Sequence, residues 1–295
     1  MKRYCLYLFI LIGISCSAEL KAQKNGTVYK GNDPAVRYTG RTLVSPDGSV
    51  AFDWVGTYLE TRFTGGKLSV KVSETGTSYY NVFVDGKLHK VVKVCGTDTL
   101  IHLVSGIDKR IHSLKIQKRS EGEFGKTTVH QFVLSGSGRL AEEPAVRTRH
   151  IEFIGNSLTC GYGTDGKHRD EPFLVETENC NLTFASMVAR YYDADYTLIA
   201  HSGRGAARNY GDSVRVSKVT MKDRMLNTFD EDLTHKWNFK EYRPDLVVIN
   251  LGSNDFSTEP HPYKSEFTKA YKQILAQLRE HYGDIPILCI YPVAM

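Results

Sequence analysis

Long apolar runs are scarce in this chain of 295 residues. The stretch Tyr4 to Ile14 is too short to cross a bilayer, so a spanning helix is not expected. No His-x-x-x-His or Cys-x-x-Cys spacing occurs, which removes the usual zinc-ligand patterns, and no metal is expected. Charge of one sign is also thin. The net charge is +5, and two of those units come from Lys2, Arg3 and Lys21 set against Glu19. What remains is spread along the chain, without the basic stripe that tracks nucleic acid. A hydrophobic fraction of 41% and a charged fraction of 24% are those of a soluble globular protein, long enough for two domains with separate cores.

The first 22 residues carry an export signal: a basic start at Lys2-Arg3, the short apolar run, then small residues at Ser15 to Ala18 and at Ala22. Cleavage after Ala18 or after Ala22 fits. Ile14-Ser-Cys16 also allows lipid attachment at Cys16, although Gly13 stands where a lipobox usually has Leu. Either way the expected location is outside the cytoplasm, in the periplasm, on the outer surface or in the medium. Four cysteines then remain where disulfides are permitted. Cys160 and Cys180 flank a polar loop, and a bridge or two buried thiols fit equally; Cys95 and Cys289 lie in apolar strands and are expected in the core.

From residue 24 to 141 the chain is written in short β-branched and aromatic runs of period two, among them Val50–Trp54, Leu68–Val72, Asn81–Val84, Leu88–Val94 and Val129–Val133. Asp85-Gly86 is a hairpin signal. Repeated strands without helical period predict a jelly-roll β-sandwich. Trp54, Tyr58, Tyr79 and Tyr80 suit either stacking on sugars or packing in the core, and core packing is favoured. His89, His102, His112 and His130 are expected to face outward.

Glu142-Glu-Pro144 makes a linker, and from residue 149 to 295 strands alternate with helices. Phe184, Met187, Val188 and Tyr191 recur at helical spacing, as do Phe267, Tyr271, Ile274 and Leu278, which predicts helices packed on a parallel sheet. Loops 164–179 and 209–236 are placed near the strand ends, where a substrate would sit. Three apolar strands end in polar, glycine-rich turns: Ile151-Glu-Phe-Ile-Gly-Asn-Ser157, Tyr196-Thr-Leu-Ile-Ala-His-Ser-Gly203, and Leu246-Val-Val-Ile-Asn-Leu-Gly-Ser-Asn-Asp255. Ser157 alone could be a helix N-cap. With Gly203 and Asn254 at the same sheet edge, it becomes a nucleophile facing donors for an oxyanion: its own N–H, the Gly203 N–H and the Asn254 amide. Tyr162, Arg204, Asp255 and His261 are candidate substrate contacts beside them.

Gly155-Asn-Ser-Leu-Thr159, Gly203 and Gly252-Ser-Asn-Asp255 resemble the first three sequence blocks of the SGNH (GDSL-type) hydrolases. The fuller strings Ile151–Gly163, Ser202–Gly205 with Arg208–Asp212, and Leu251–Ser257 are similar to carbohydrate esterase family 2. The resemblance covers essentially the whole chain after the leader. It implies a flavodoxin-like three-layer α/β hydrolase domain behind the sandwich. It also implies removal of acetyl groups from plant polysaccharides such as xylan, mannan or glucan, with no cofactor. Asn156 stands where the superfamily has Asp, a change expected to be tolerated. The family's late Asp-x-x-His motif, which carries the general base, does not follow the Asn254 turn. The chain reaches Ile285–Met295, which reads as the sheet's next strand, and the motif is expected beyond it, so these 295 residues alone are expected to be weak or inactive. His201 and His261 are weak stand-ins, since both sit on strand ends with other roles. A lipase or lysophospholipase of the same superfamily, and a non-catalytic glycan-binding protein, are the rival readings.

Overall fold

The computed structural model describes residues 26–290 except residue 143; the expected export signal, with Cys16, lies outside them. An all-β region comes first. Its strands are β1 (Gly26–Lys30), β2 (Val36–Thr39), β3 (Leu43–Val44), β4 (Val50–Phe52), β5 (Tyr58–Val84), β6 (Lys87–Lys118), β7 (Thr127–Ser135) and β8 (Arg139–Leu140). The sheet path runs β2-β5-β7-β4-β3, with β1 on β7 and both β6 and β8 on β5, and the pairs are antiparallel. The hairpin at Asp85-Gly86 joins β5 to β6, both residues taking positive φ.

Several runs that read as separate strands are fused here into the two long, bent strands β5 and β6. The register shifts around Gly66, which has φ +83°, and between Val72 and Thr77 bend β5 without ending it. A bulge admits an extra residue and re-aims the ladder, so one strand serves four partners. Phe52, Phe63, Leu68, Val82, Phe132 and Leu134 fill the core of this region. His112 departs from the expected outward position. It is buried, held by Asp85 at 2.7 Å and Asp108 at 3.0 Å, because a ring bonded at both nitrogens loses little by leaving water. Cys95 and Cys289, expected in the core, are exposed.

The second region is a four-stranded parallel sheet in the order β10-β9-β11-β12, with β9 His150–Gly155, β10 Asp195–Ala200, β11 Leu246–Ile249 and β12 Ile287–Cys289. Among the described residues five α-helices attend it: α1 (Ser157–Cys160), α2 (Phe184–Tyr191), α3 (Met221–Arg224), α4 (Ser253–Phe256) and α5 (Lys264–Tyr282). Helix α5 buries Ala270, Ile274, Leu278 and Tyr282, with Phe267 and Tyr271 packed alongside, close to the expected stripe. Helix α2 does the reverse. Ala185, Ser186 and Ala189 face the sheet while Met187, Val188 and Tyr191 are exposed, because small residues let this helix seat closely on Phe153 and its neighbours. No helix among the described residues is long and apolar enough to cross a membrane.

The two regions share their cores. Trp54, fully buried, belongs to the cluster of Ile154, Ile199 and Ile249, and Tyr58 to that of Ile151, Phe153 and Tyr196, so both aromatics pack between regions. Tyr80 is buried in the β core and Tyr79 is half-buried. Asp195, at the start of β10, accepts from Arg37 at 2.7 Å, Arg147 at 2.8 Å and the Tyr58 hydroxyl at 2.6 Å. Burial works against the charged form, but these donors outweigh it and hold the carboxyl down at about 2. Its contribution to stability is therefore complete above the ordinary carboxylate pKa and is lost as the pH falls through about 2. Asp195→Ala takes one carboxylate from Arg37 and Arg147, which both keep Glu60. A loss of about 1.5–3 kcal/mol in urea unfolding at neutral pH is expected; a loss under 1 kcal/mol would show that the cluster holds nothing together.

Candidate active site

The ladders set the strand ends level. Ala200 pairs with Gly155, and Ile249 pairs with Ile154, so all three chains leave the sheet at one edge. Beyond β9, Asn156 caps α1 by accepting the Leu158 N–H at 3.2 Å, which puts Ser157 at the first helical position, half-buried. The amide of Asn156 donates to the Ser253 hydroxyl at 2.8 Å, tying the Ser157 turn to the Asn254 turn. Asn254 in turn donates to the Arg204 carbonyl at 2.8 Å, tying its turn to the glycine loop after β10. A carboxamide nitrogen carries two protons; one is spent on Arg204, and the second has no partner among the described residues. Two side-chain bonds thus gather Ser157, Gly203 and Asn254.

Asp255 has a different place from the substrate contact expected of it. It is fully buried, and its carboxylate accepts the N–H groups of Ala206 at 3.0 Å, Ala207 at 2.7 Å and Arg208 at 2.9 Å. Burial raises its pKa while the three N–H groups pull the other way. Gly205 must be glycine here, since a Cβ would stand 2.0 Å from the Arg208 carbonyl and 2.5 Å from the Asp255 carboxylate. Asp255 therefore shapes the loop that carries Gly203, whose φ is +73°.

The carbohydrate esterase 2 N-terminal family model matches residues 38–144, and that of the GDSL-like lipase/acylhydrolase family matches residues 153–295. A family two carbohydrate esterase from Clostridium thermocellum, solved in complex with cellohexaose, is 34% identical with a TM-score of 0.83, over 88% of this chain and 78% of that one. The chain belongs to carbohydrate esterase family 2. Its relatives include the cellulase/esterase CelE of Acetivibrio thermocellus, 34% identical over 88% of this chain and 31% of that protein. Another is an acetylxylan esterase / glucomannan deacetylase of Cellvibrio japonicus, 33% identical over 74% of this chain and 61% of that protein. The chain thus spans about a third and three fifths of these two relatives.

The remaining candidates of this family member divide. Tyr162 is half exposed and stacks on Phe173, ring centroids 3.8 Å apart and planes at 13°; Phe173 stacks in turn on Phe124 of the all-β region. Its N–H reaches the Ser157 carbonyl at 3.1 Å, so this aromatic stands beside the Ser157 turn. Arg204 is half-buried, and His261 is exposed, edge-on to Phe256 and 3.4 Å from Glu259. His201 is buried rather than at the lip. Asp230 holds its Nδ1 at 2.7 Å, and although burial opposes the charge, that carboxylate raises the imidazole's pKa. The Asp-x-x-His spacing does occur twice, at Asp165–His168 and Asp232–His235, but upstream of the Asn254 turn. His235 bonds its own Asp232 at 2.6 Å and His168 is exposed. Among the described residues no histidine bonds the Ser157 hydroxyl.

Cys160 and Cys180 are both free and buried. Loops 164–179 and 209–236 are pinned from the all-β region. Arg119 donates to the carbonyls of Glu178 and Glu176 at 2.7 and 3.0 Å, and Arg41 to those of Met225 and Asn227 at 2.6 and 2.8 Å. Sequence spacing gave no sign of the acid-rich groups that this docking assembles. His201, Asp230 and Glu231 form one, and Glu121, Glu123 and His201 another, with ligand atoms within 4.8 Å of one another. Asp230 and Glu231 are also bonded by Arg224, which neutralises the charge an ion would meet.

Asp255→Ala leaves three main-chain donors unpaired. At about 1–3 kcal/mol for each buried orphan, a loss of at least 3 kcal/mol is expected, together with loss of fluorophosphonate labelling at the untouched Ser157. Asp255→Asn, which keeps one acceptor, should fall between. Full labelling of the alanine variant would remove Asp255 from any part in shaping the loop.

Proposed function

We propose that this chain is the catalytic part of an exported esterase that removes O-acetyl groups from plant cell-wall polysaccharide, of xylan, mannan or glucan type, through an acyl-enzyme on Ser157. One observation carries the reading: three level strand ends, tied by Asn156 and Asn254, gather a half-exposed serine with the donors an acyl transfer needs. Ser157 attacks the acetyl carbonyl. Its own N–H, the Gly203 N–H and the free proton of the Asn254 amide hold the oxyanion; the sugar hydroxyl leaves, and water releases acetate. This chemistry asks for no metal or organic cofactor. The relatives named as acetylxylan esterase and glucomannan deacetylase support the acyl group and substrate class, and the basic, apolar start of the sequence supports export.

A serine hydroxyl needs a base, and the described residues offer none bonded to it. That role belongs to a histidine in this reading, and activity is best measured at the protein's native length. Tyr162 is the natural sugar platform, because Phe173 covers one face of its ring and half of the side chain remains open. Arg204 and His261 stand close enough to the same loops to meet a polysaccharide.

In acetate release from acetylated xylan and from 4-nitrophenyl acetate, Ser157→Ala should be inactive. Asn254→Ala should lose about 10²–10³-fold in kcat with little change in KM. Retention of activity by Ser157→Ala would refute the mechanism. Polysaccharide binding untouched by that change, with no acetate released by the parent protein, would favour the glycan-binding reading, and cleavage of octanoyl as readily as acetyl esters the lipase reading. Tyr162→Ala should raise KM for the polysaccharide several-fold and leave the small ester unaffected; equal effects on both would mean that the ring supports the turn instead of holding sugar.

A further inference from the structure

Glu121 belongs to the all-β region, in the segment between β6 and β7, yet its side chain is fully buried against the hydrolase-type sheet. One carboxylate oxygen accepts the main-chain N–H of Ser202 at 2.5 Å, and the other accepts the Ser202 hydroxyl. Ser202 immediately precedes Gly203. On the far side of that glycine, the Asn254 amide holds Arg204 and Asp255 holds residues 206–208. Between Ser202 and Gly205 the loop has two glycines, one of them at positive φ, so its own stiffness cannot fix where the Gly203 N–H points. It is clamped at both ends instead, and the upstream clamp comes from the other region.

The same carboxylate reaches a second part of the site. Glu121, the Cys160 thiol and the Glu178 carboxyl lie with their polar atoms within 4.8 Å of one another, and Cys160 closes α1, the helix that Ser157 opens. Burial and the neighbouring Glu121 push Glu178 up to about 11, so it sits as a neutral acid that can donate toward Glu121, while its other role is to accept the Glu121 N–H at 2.9 Å. Burial likewise keeps the Cys160 thiol protonated. Lys118, on β6, donates to the Glu121 carbonyl at 3.3 Å and to Ser78 at 2.7 Å, holding the segment from behind. Both donors of Ser202 thus converge on one carboxylate, seated between the Ser157 turn and the glycine loop.

We propose that Glu121 is a positioning residue for acyl transfer: from the all-β region it fixes Ser202, and so aims the Gly203 N–H at the developing oxyanion. The inference rests on the esterase reading above. It makes the all-β region part of the active site, because a donor displaced by about 1 Å can cost on the order of 10²-fold in rate without disturbing substrate binding.

The test is a kcat and KM split with 4-nitrophenyl acetate at native length, comparing Glu121→Ala, Glu121→Gln and Ser157→Ala. Glu121→Ala should lower kcat at least tenfold with KM within twofold of the parent, and should slow fluorophosphonate labelling of Ser157 in parallel. Glu121→Gln, whose carbonyl can still accept the Ser202 N–H, should recover most of that loss. If Glu121→Ala fails to fold, Glu121→Asp decides: drawing the carboxylate back by one methylene should cut kcat at least fivefold with unchanged KM. A kcat within twofold of the parent in whichever of these two variants folds, with Ser157→Ala inactive, overturns the role of Glu121. Activity surviving in Ser157→Ala would overturn the esterase reading itself, which is a separable failure.

Discussion

The parallel register of β9 with its two neighbours is the constraint on which the rest depends. With Gly155 level with Ala200, and Ile154 level with Ile249, three chains leave one sheet edge within a few residues of each other. Strand ends alone do not make a site, since glycine-rich turns can wander. What narrows them is a short series of buried polar side chains whose donors and acceptors are spent on neighbouring loops: Asn156 on Ser253, Asn254 on Arg204, Asp255 on three main-chain N–H groups. A carboxamide suits the first two places because it can accept from one partner and donate to another with no charge to bury. A carboxylate suits the third, where only donors converge.

The all-β region cannot be regarded as an appendage. Trp54 and Tyr58 complete apolar clusters of the parallel sheet, Arg41 and Arg119 hold loop carbonyls on either side of the strand ends, and Asp53 accepts the N–H groups of Asp230 and Glu231 at 2.8 and 3.2 Å. Each of these polar groups left water on docking, so each needs its partner across the interface. Burying a charge without one costs several kcal/mol. The interface therefore tolerates little slippage.

Much of this was legible in the residues. An apolar run closed by glycine marks a buried strand, and the three such runs here are strands that leave the sheet at one edge; alternation and Asp85-Gly86 marked the all-β region. The misses have physical causes. The large apolar residues of α2 suggested a buried stripe, but a helix seated on its alanines and serine turns Met187 and Tyr191 outward. Asp255 looked like a ligand contact because sequence shows that a carboxylate is near a turn, not that three N–H groups already fill it. His112 is buried because two aspartates at 2.7 and 3.0 Å satisfy it, a pairing set by strand register. Glu121 left no motif at all. Its meaning arises only when two regions dock, and nothing local in the chain announces such a contact.

The convergence of Ser157, Gly203 and Asn254 is tested most directly by a crystal structure of the native-length protein after reaction with a small phosphonate ester. The phosphorus should be bonded to the Ser157 oxygen, with its charged oxygen at about 3 Å from the Ser157 N–H, the Gly203 N–H and the Asn254 amide nitrogen. An adduct whose oxygen faces solvent or a different set of donors, or a phosphonate carried elsewhere while Ser157 stays free, would contradict it.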